Sequence, residues 1–340
     1  TAMGMIELKQ LLFDGTYVVG VQGIKHFLAL ADNAQEKTQL EIQRIIVDAY
    51  LGAIAARANV MILEDNISTL TKNLEEVSQL FGSGFEEEES VEQLQLTLTS
   101  LNNQLDYAKN MAELSHSVVK LLLGISLDSP LELTDELEAL VLKNLIMEEE
   151  DPGYANNIDL RIAEKQITTE ELFYRLEKAK SLPSLTAFVN GAYMGNNDSF
   201  GFTDKDQKWF GSAAFGVRVK IPIFSSFGRT ASAQKAKITL EQAKTAFDEA
   251  RSKVYYEYEQ AKNNYRLAIK KHFNTKDQLD LAERIEQKNK TKFFEGLASS
   301  FELRQAQIQL YTIQQSYIQS MQAVVSQKTA LDIIINNNPQ

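Results

Sequence analysis

Phe81–Gln95 reads FGSGFEEEESVEQLQ, and Phe293–Gln307 reads FFEGLASSFELRQAQ. An offset of 212 residues lays Phe81 on Phe293, Gly84 on Gly296, Val91 on Leu303, Gln93 on Gln305 and Gln95 on Gln307. The same register joins Gln22 to Gln234, Lys25 to Lys237, and the triplet Leu121-Leu122-Leu123 to Ile333-Ile334-Ile335. One offset holding over about 110 residues is a tandem duplication, and a repeat governs any reading of the fold.

Outward from each glycine turn the two copies follow one plan. The stretches from about Val18 to Phe81 and from about Arg229 to Phe294 contain no proline and are rich in Ala, Glu, Lys, Gln and Leu. Apolar residues recur at three- and four-residue steps, as in Ile42, Ile45, Ile46, Ala49 and Ile54, which predicts helix. Roughly 65 residues at 1.5 Å each make a rod of ~100 Å, which must lie along partner helices as a coiled coil. Beyond each turn a shorter helix is expected, about Ser90–Leu123 and Ser300–Ile335, with a third at Asn156–Ser181. The segment between, with Pro130 and Pro152, changes rhythm and is expected to form a belt at the junction.

Strand periodicity replaces helical periodicity in two places. Ala213, Phe215, Val217, Val219, Ile221 and Ile223 alternate with a second set containing Arg218 and Lys220. Near the start Ile6, Leu8 and Leu12 alternate with Glu7 and Lys9. Alignment of the Phe turns sets Lys9 level with Lys220 and Glu7 level with Arg218, so the first copy begins within its second strand. Its preceding helix and first strand are then missing. A hairpin with one apolar face either covers a soluble core or sits in lipid. Strand length, the polar loop Gly195–Lys208, and Tyr193, Trp209 and Phe210 at one end suit a membrane barrel. Glu7, Lys9, Arg218 and Lys220 would then face the lumen, because a charge at mid-depth in lipid costs ~2–4 kcal/mol. Two strand pairs cannot close a barrel, so lipid insertion calls for an oligomer.

Composition narrows the classes. The 340 residues are 44% hydrophobic with a net charge of −11, which argues against both wholesale disorder and a nucleic-acid surface. No run approaches eighteen apolar residues, so no helix is expected to cross a bilayer. The opening residues lack a signal-peptide layout. The chain has no cysteine, and His26, His116 and His272 share no ligand spacing. A phosphate loop and a serine elbow are likewise missing, so neither an enzyme nor a metal or other cofactor is expected. The four glutamates Glu86 to Glu89 read first as a solvated helix start, since carboxylates favour the positive end of the helix dipole.

The chain resembles the TolC-type outer-membrane efflux proteins. LLFDG and PIFSSFGRTASAQ at the strand-to-helix turns, GLASSFELRQAQ at the second helix turn and AKSLPSLTAFVNGAY entering the strands carry the likeness. It implies a mainly α fold with a small β part, in which a homotrimer builds a twelve-stranded barrel in the outer membrane of a Gram-negative bacterium and a helical tunnel in the periplasm. The domains expected are a partial strand at 1–14, a helical hairpin at 15–124, a junction at 125–155, a half-length helix at 156–182, a β-hairpin at 183–227, a second helical hairpin at 228–336 and a tail at 337–340. The implied function is an exit duct for efflux or type I secretion, fed by a periplasmic adaptor (a membrane fusion protein) and an inner-membrane pump. A pore-less periplasmic scaffold or adaptor is the alternative. Gly84, Gly296, Leu297 and Ser299 are implied adaptor contacts. In the family an acidic residue six positions after the turn glycine rings the entrance. Glu302 matches that position, Gln305 fails to match a second one, and Ser90 takes the place in copy one, with Glu89 beside it and Glu86, Glu87 and Glu88 before. The chain departs from the family in having Gly15 and Gly228 alone where paired glycines are common; many members carry an N-terminal lipidated cysteine, and the part that would hold it is missing here.

Overall fold

The computed structural model describes residues 1–145, 153–198 and 200–336. Parts of the expected junction and the whole tail at 337–340 therefore lie outside the described residues. The elements run β1 (Ala2–Asp14), α1 (Gly15–Gly82), α2 (Glu88–Leu122), α3 (Leu137–Asn144), α4 (Ile158–Ala179), β2 (Ser184–Gly195), β3 (Trp209–Lys220), α5 (Gly228–Phe294) and α6 (Ser300–Ile335). The chain divides into two compact units, Thr1–Glu36 with Asp159–Ser252, and Lys37–Ile158 with Lys253–Gln340.

In the first unit the three strands form one antiparallel sheet in the order β1-β2-β3. β1 has 13 residues and pairs along β2 from Ala2 opposite Gly195 to Asp14 opposite Ser184. Within the described residues it pairs along the full length of β2. A register shift between Leu11 and Phe13 marks a bulge, so Phe13 rather than Leu12 continues the apolar alternation. Asp14 then caps α1 directly, its carboxylate accepting the Thr16 N–H at 2.8 Å and the Tyr17 N–H at 3.2 Å. β3 behaves differently. It stops at Lys220, before Ile221 and Ile223, because Pro222 offers no N–H to a ladder and Ser226 and Phe227 turn left-handed at φ 47° and 62°.

α4 packs on the start of α1. Arg161 grips Glu36 through two hydrogen bonds of 2.7 and 2.9 Å and reaches the Asn33 carbonyl oxygen at 2.9 Å. The helices approach closely at Gly23, where a Cβ would lie 2.3 Å from a Leu172 methyl.

The second unit is a coiled coil. Leu63, Leu70 and Val77 on α1 recur every seven residues and meet Leu94, Leu101 and Ala108 on α2 at the same interval. On α5 the buried residues Val254, Tyr258, Ala261, Tyr265, Ala268, His272 and Thr275 step alternately by four and three, large side chains alternating with smaller ones. Leu70 and Val77 are fully buried, and truncating such a leucine to alanine costs about 2–5 kcal/mol. A second core cluster joins Leu51 and Ile54 of α1, Leu137 and Val141 of α3, Tyr265 of α5, and Met321 and Val324 of α6. The segment before α3 is held by its backbone: Arg57 donates to the carbonyls of Leu133 and Asp135, and Tyr50 donates to the Asp135 carboxylate at 2.7 Å. Against the expectation that no run is apolar enough, α1 does contain an 18-residue window of mean hydropathy 1.5. The same helix supplies Leu51, Ile54 and Ala55 to the core cluster.

Candidate functional site

Cross-strand partners share a face of an antiparallel sheet, so the register assigns every strand residue to one side. Ile6, Leu8, Val189, Tyr193, Trp209, Phe215, Val217 and Val219 share one face. It is open to its surroundings, with Ile6 82% and Phe215 86% exposed. Glu7, Lys9, Arg218 and Lys220 all fall on the other face. The expected segregation of charge is therefore present.

The charges stand at different heights on that face. Lys9 pairs through Phe188 with Gly216, and Glu7 through Asn190 with Ala214. Arg218 stands level with Leu11, and Lys220 with Asp14. Glu7 and Lys9 thus lie farther from the helix end than Arg218 and Lys220, while Asp14 of β1 stands level with Lys220. Glu7 and Lys9 form an ion pair of 2.7 Å, and the Arg218 guanidinium lies 5.2 Å from the Phe188 ring centre.

The aromatic set also divides. Tyr193 and Trp209 sit on the apolar face, whereas Phe210 pairs with Met194 and Met3 on the charged face. Phe210 is therefore no companion of the other two, because one step along a strand reverses the side. Three aromatic residues of this hairpin each stand opposite a glycine: Tyr193 opposite Gly211, Phe188 opposite Gly216, and Trp209 opposite Gly195. A Cβ on any of those glycines would meet the ring at 3.2–3.4 Å. Ring-over-glycine pairing fixes the register of the hairpin.

The two helical turns repeat the duplication in their hydrogen bonds. Gly84 N–H donates to Phe81 and Phe85 N–H to Leu80, both at 2.9 Å. Gly296 N–H donates to Phe293 at 2.9 Å and Leu297 N–H to Lys292 at 2.7 Å. Both are Schellman turns, and both glycines have positive φ, 79° and 74°, as expected of turn residues. The residue after each glycine projects outward, Phe85 at 82% and Leu297 at 73% exposure.

Past the turns the copies diverge. Ser299 and Glu302 form a capping box: the Glu302 carboxylate accepts the Ser299 N–H at 2.8 Å, and the Glu302 N–H donates to the Ser299 hydroxyl at 3.3 Å. The Ser299 backbone bond, followed by its hydroxyl, holds the Glu302 carboxyl below its ordinary range. The N-cap of α2 is Glu87, which makes no side-chain capping bond. There Glu86 accepts the Ser90 hydroxyl at 2.6 Å, Glu89 accepts the Gln93 amide at 2.8 Å, and Glu88 and Glu89 occupy the first turn. The helix-start reading of the glutamate run stands.

One feature of the bundle escaped the sequence reading. Asn59, Asn66 and Asn73 recur every seven residues on α1. Asn66 donates to Gln314 of α6 at 2.8 Å. One heptad nearer the turns, Asn73 and Gln307 are at 0% and 1% exposure, and neither amide has a partner within the chain. The seven-residue spacing of asparagine was the available signal.

A sheet with one apolar and one charged face, joined in sequence to long helical hairpins, has the layout a protomer of an oligomeric membrane channel requires. A family model described as outer membrane efflux protein matches residues 154–337, and the chain belongs to that family. It is an outer-membrane channel of the efflux type, and the comparisons lend no support to a pore-less scaffold. Solved structures share the fold. VceC of Vibrio cholerae is 16% identical at TM-score 0.75, over 98% of this chain and 86% of that one. CusC is 14% identical at TM-score 0.80, over 98% and 82%. MtrE of Neisseria gonorrhoeae, in its open state, is 12% identical at TM-score 0.70, over 98% and 80%. No curated protein matches the chain.

Proposed function

We propose that the chain is one protomer of a trimeric exit duct. Its charged sheet face lines a water-filled lumen, its apolar face meets outer-membrane lipid, and its helical hairpins extend into the periplasm. The two-faced sheet carries this reading. β1 and β3 each have a free edge, and an unpaired edge is not tolerated in hydrocarbon, so further strands must continue the sheet on both sides. Tyr193 and Trp209 then mark the membrane interface near the β2–β3 loop. Gly84, Gly296, Leu297 and Ser299 form the surface that meets a periplasmic adaptor of an inner-membrane pump, with Phe85 and Leu297 offering apolar side chains to it. Glu302 rings the entrance, with Glu89 second and Glu86, Glu87 and Glu88 adding to the negative field. The division into two hairpins (15–124 and 228–336), junction, half-length helix and strand hairpin describes the working parts of the duct. Reconstituted in a planar bilayer, the full chain should open in conductance steps, and native mass spectrometry in detergent should give a trimer. A monomer, or a bilayer without steps, overturns the reading.

A further inference from the structure

The charge-bearing face of the sheet is not uniform. Toward the helix end it carries Glu7, Lys9, Asp14, Arg218 and Lys220, yet the two rows nearest the β2–β3 loop contain no charge. There Met3, Met194 and Phe210 stand side by side across the three strands, with Met5 in the next row. All four are exposed, between 40% and 63%. A barrel lumen is ordinarily polar, so an apolar band at this height needs an occupant. Lipid is not that occupant, because these side chains share their face with five charges.

The chemistry of the band points to one class of molecule. Thioethers are polarisable and flexible and adapt to irregular apolar bodies. The face of an aromatic ring attracts a cation. The nearest charge on this face is the Glu7 carboxylate, two residues from Met5 on the same strand and therefore ~7 Å along it. Lys9, its ion-pair partner, lies two residues farther from the band. A bound charge meets the carboxylate first.

We propose that Met3, Met5, Met194 and Phe210 form a thioether-rich collar in the lumen that binds amphiphilic organic cations in transit, with their charge directed at Glu7. The proposal rests on the lumen assignment made above. The full chain in a planar bilayer tests it, with blockers added on the loop side. Tetraphenylphosphonium should block the current at least tenfold more tightly than tetramethylammonium, which lacks the apolar body, or naphthalenesulfonate, which has the opposite charge. Met3→Ser/Met194→Ser/Phe210→Ser should weaken tetraphenylphosphonium block about tenfold, and Glu7→Gln alone should weaken it several-fold. Conductance steps with no preference among the three blockers, or with block unaltered by both variants, overturn the collar and leave the duct standing. Absence of steps in the parent protein overturns the duct itself.

Discussion

Asn66 and Asn73 sit seven residues apart on the same stripe of α1, and replacing each with leucine should change stability in opposite directions. Asn66 is bonded to Gln314 at 2.8 Å, so Asn66→Leu strands a half-buried amide and should destabilise by about 1–3 kcal/mol. Asn73 and Gln307 are buried with all four polar atoms unpartnered within the chain. Each buried, unpaired amide costs about 1–3 kcal/mol, so Asn73→Leu with Gln307→Leu should recover about 2–6 kcal/mol, before any gain from added apolar contact. The assay is thermal unfolding of the intact protein in detergent, followed by circular dichroism at one scan rate, since membrane oligomers unfold irreversibly. The double variant should melt above the parent and Asn66→Leu below it. A double variant melting below the parent refutes the reasoning, because it would mean that the lower pair is satisfied and bonded like the upper one. Retention of so costly a pair has a physical rationale. A polar residue at a coiled-coil core position fixes register at the expense of stability, and two long helices with a seven-residue repeat can otherwise slip by one heptad.

Gly84→Ala and Gly296→Ala should each cost about 1 kcal/mol, measured as a lowered midpoint in the same assay; a Cβ there meets open space, so the cost is that of holding alanine at positive φ. Glu302→Gln keeps an acceptor for the capping box but removes the charge, and should raise conductance or weaken block by divalent cations; unchanged currents would remove Glu302 from the entrance ring. His272 gives a pH dependence. Burial first, then Lys276 on its own helix, lowers its pKa from 6.5, opposed by Glu138 on α3. Its Nδ1 lies 3.3 Å from the Ser320 hydroxyl of α6, and that hydroxyl already donates to the Tyr317 carbonyl, so Nδ1 carries the proton of the neutral ring. The folded chain therefore binds fewer protons than the unfolded one. Stability is fully present above about pH 6.5 and declines as pH falls below it. The melting point of the parent should drop between pH 7.5 and 5.5 by more than that of His272→Leu, and equal drops would contradict this assignment.

The helices were legible because their signals are long. Expected at about Val18–Phe81 and Arg229–Phe294, they run Gly15–Gly82 and Gly228–Phe294. Asp14 is the N-cap of α1, so no linker separates strand from helix. α3 was not resolved from sequence, since eight residues hold barely two turns of periodicity. The faces of the strands could be read, but their heights could not. Phe13 and Phe224 hold equivalent places in the two copies, with Lys9 matching Lys220. A bulge lets β1 continue to Asp14, while Pro222 ends β3 early and residues 221–227 form a separate connection. Equivalent sequence adopts two conformations, so equivalent charges stand at different heights in the sheet.

The duplication explains why the two hairpin turns agree in backbone and differ in side chains. A Schellman turn needs only a glycine and main-chain donors, so both copies retain it at one offset. The cap of the following helix depends on particular side chains, and there the copies are free to diverge. Copy two closes Ser299 and Glu302 on each other, which fixes the Glu302 carboxylate and ties down the N-terminus of α6. Copy one lacks that cap and places Glu86 to Glu89 at the corresponding point, of which the bonds to Ser90 and Gln93 engage two. In a trimer those carboxylates recur three times, and water, cations or a basic partner surface must relieve their repulsion. The capped turn can hold its shape unaided. The uncapped turn depends on what neutralises it, and so the FGSGFEEEE turn is the better candidate for a surface that responds to a partner.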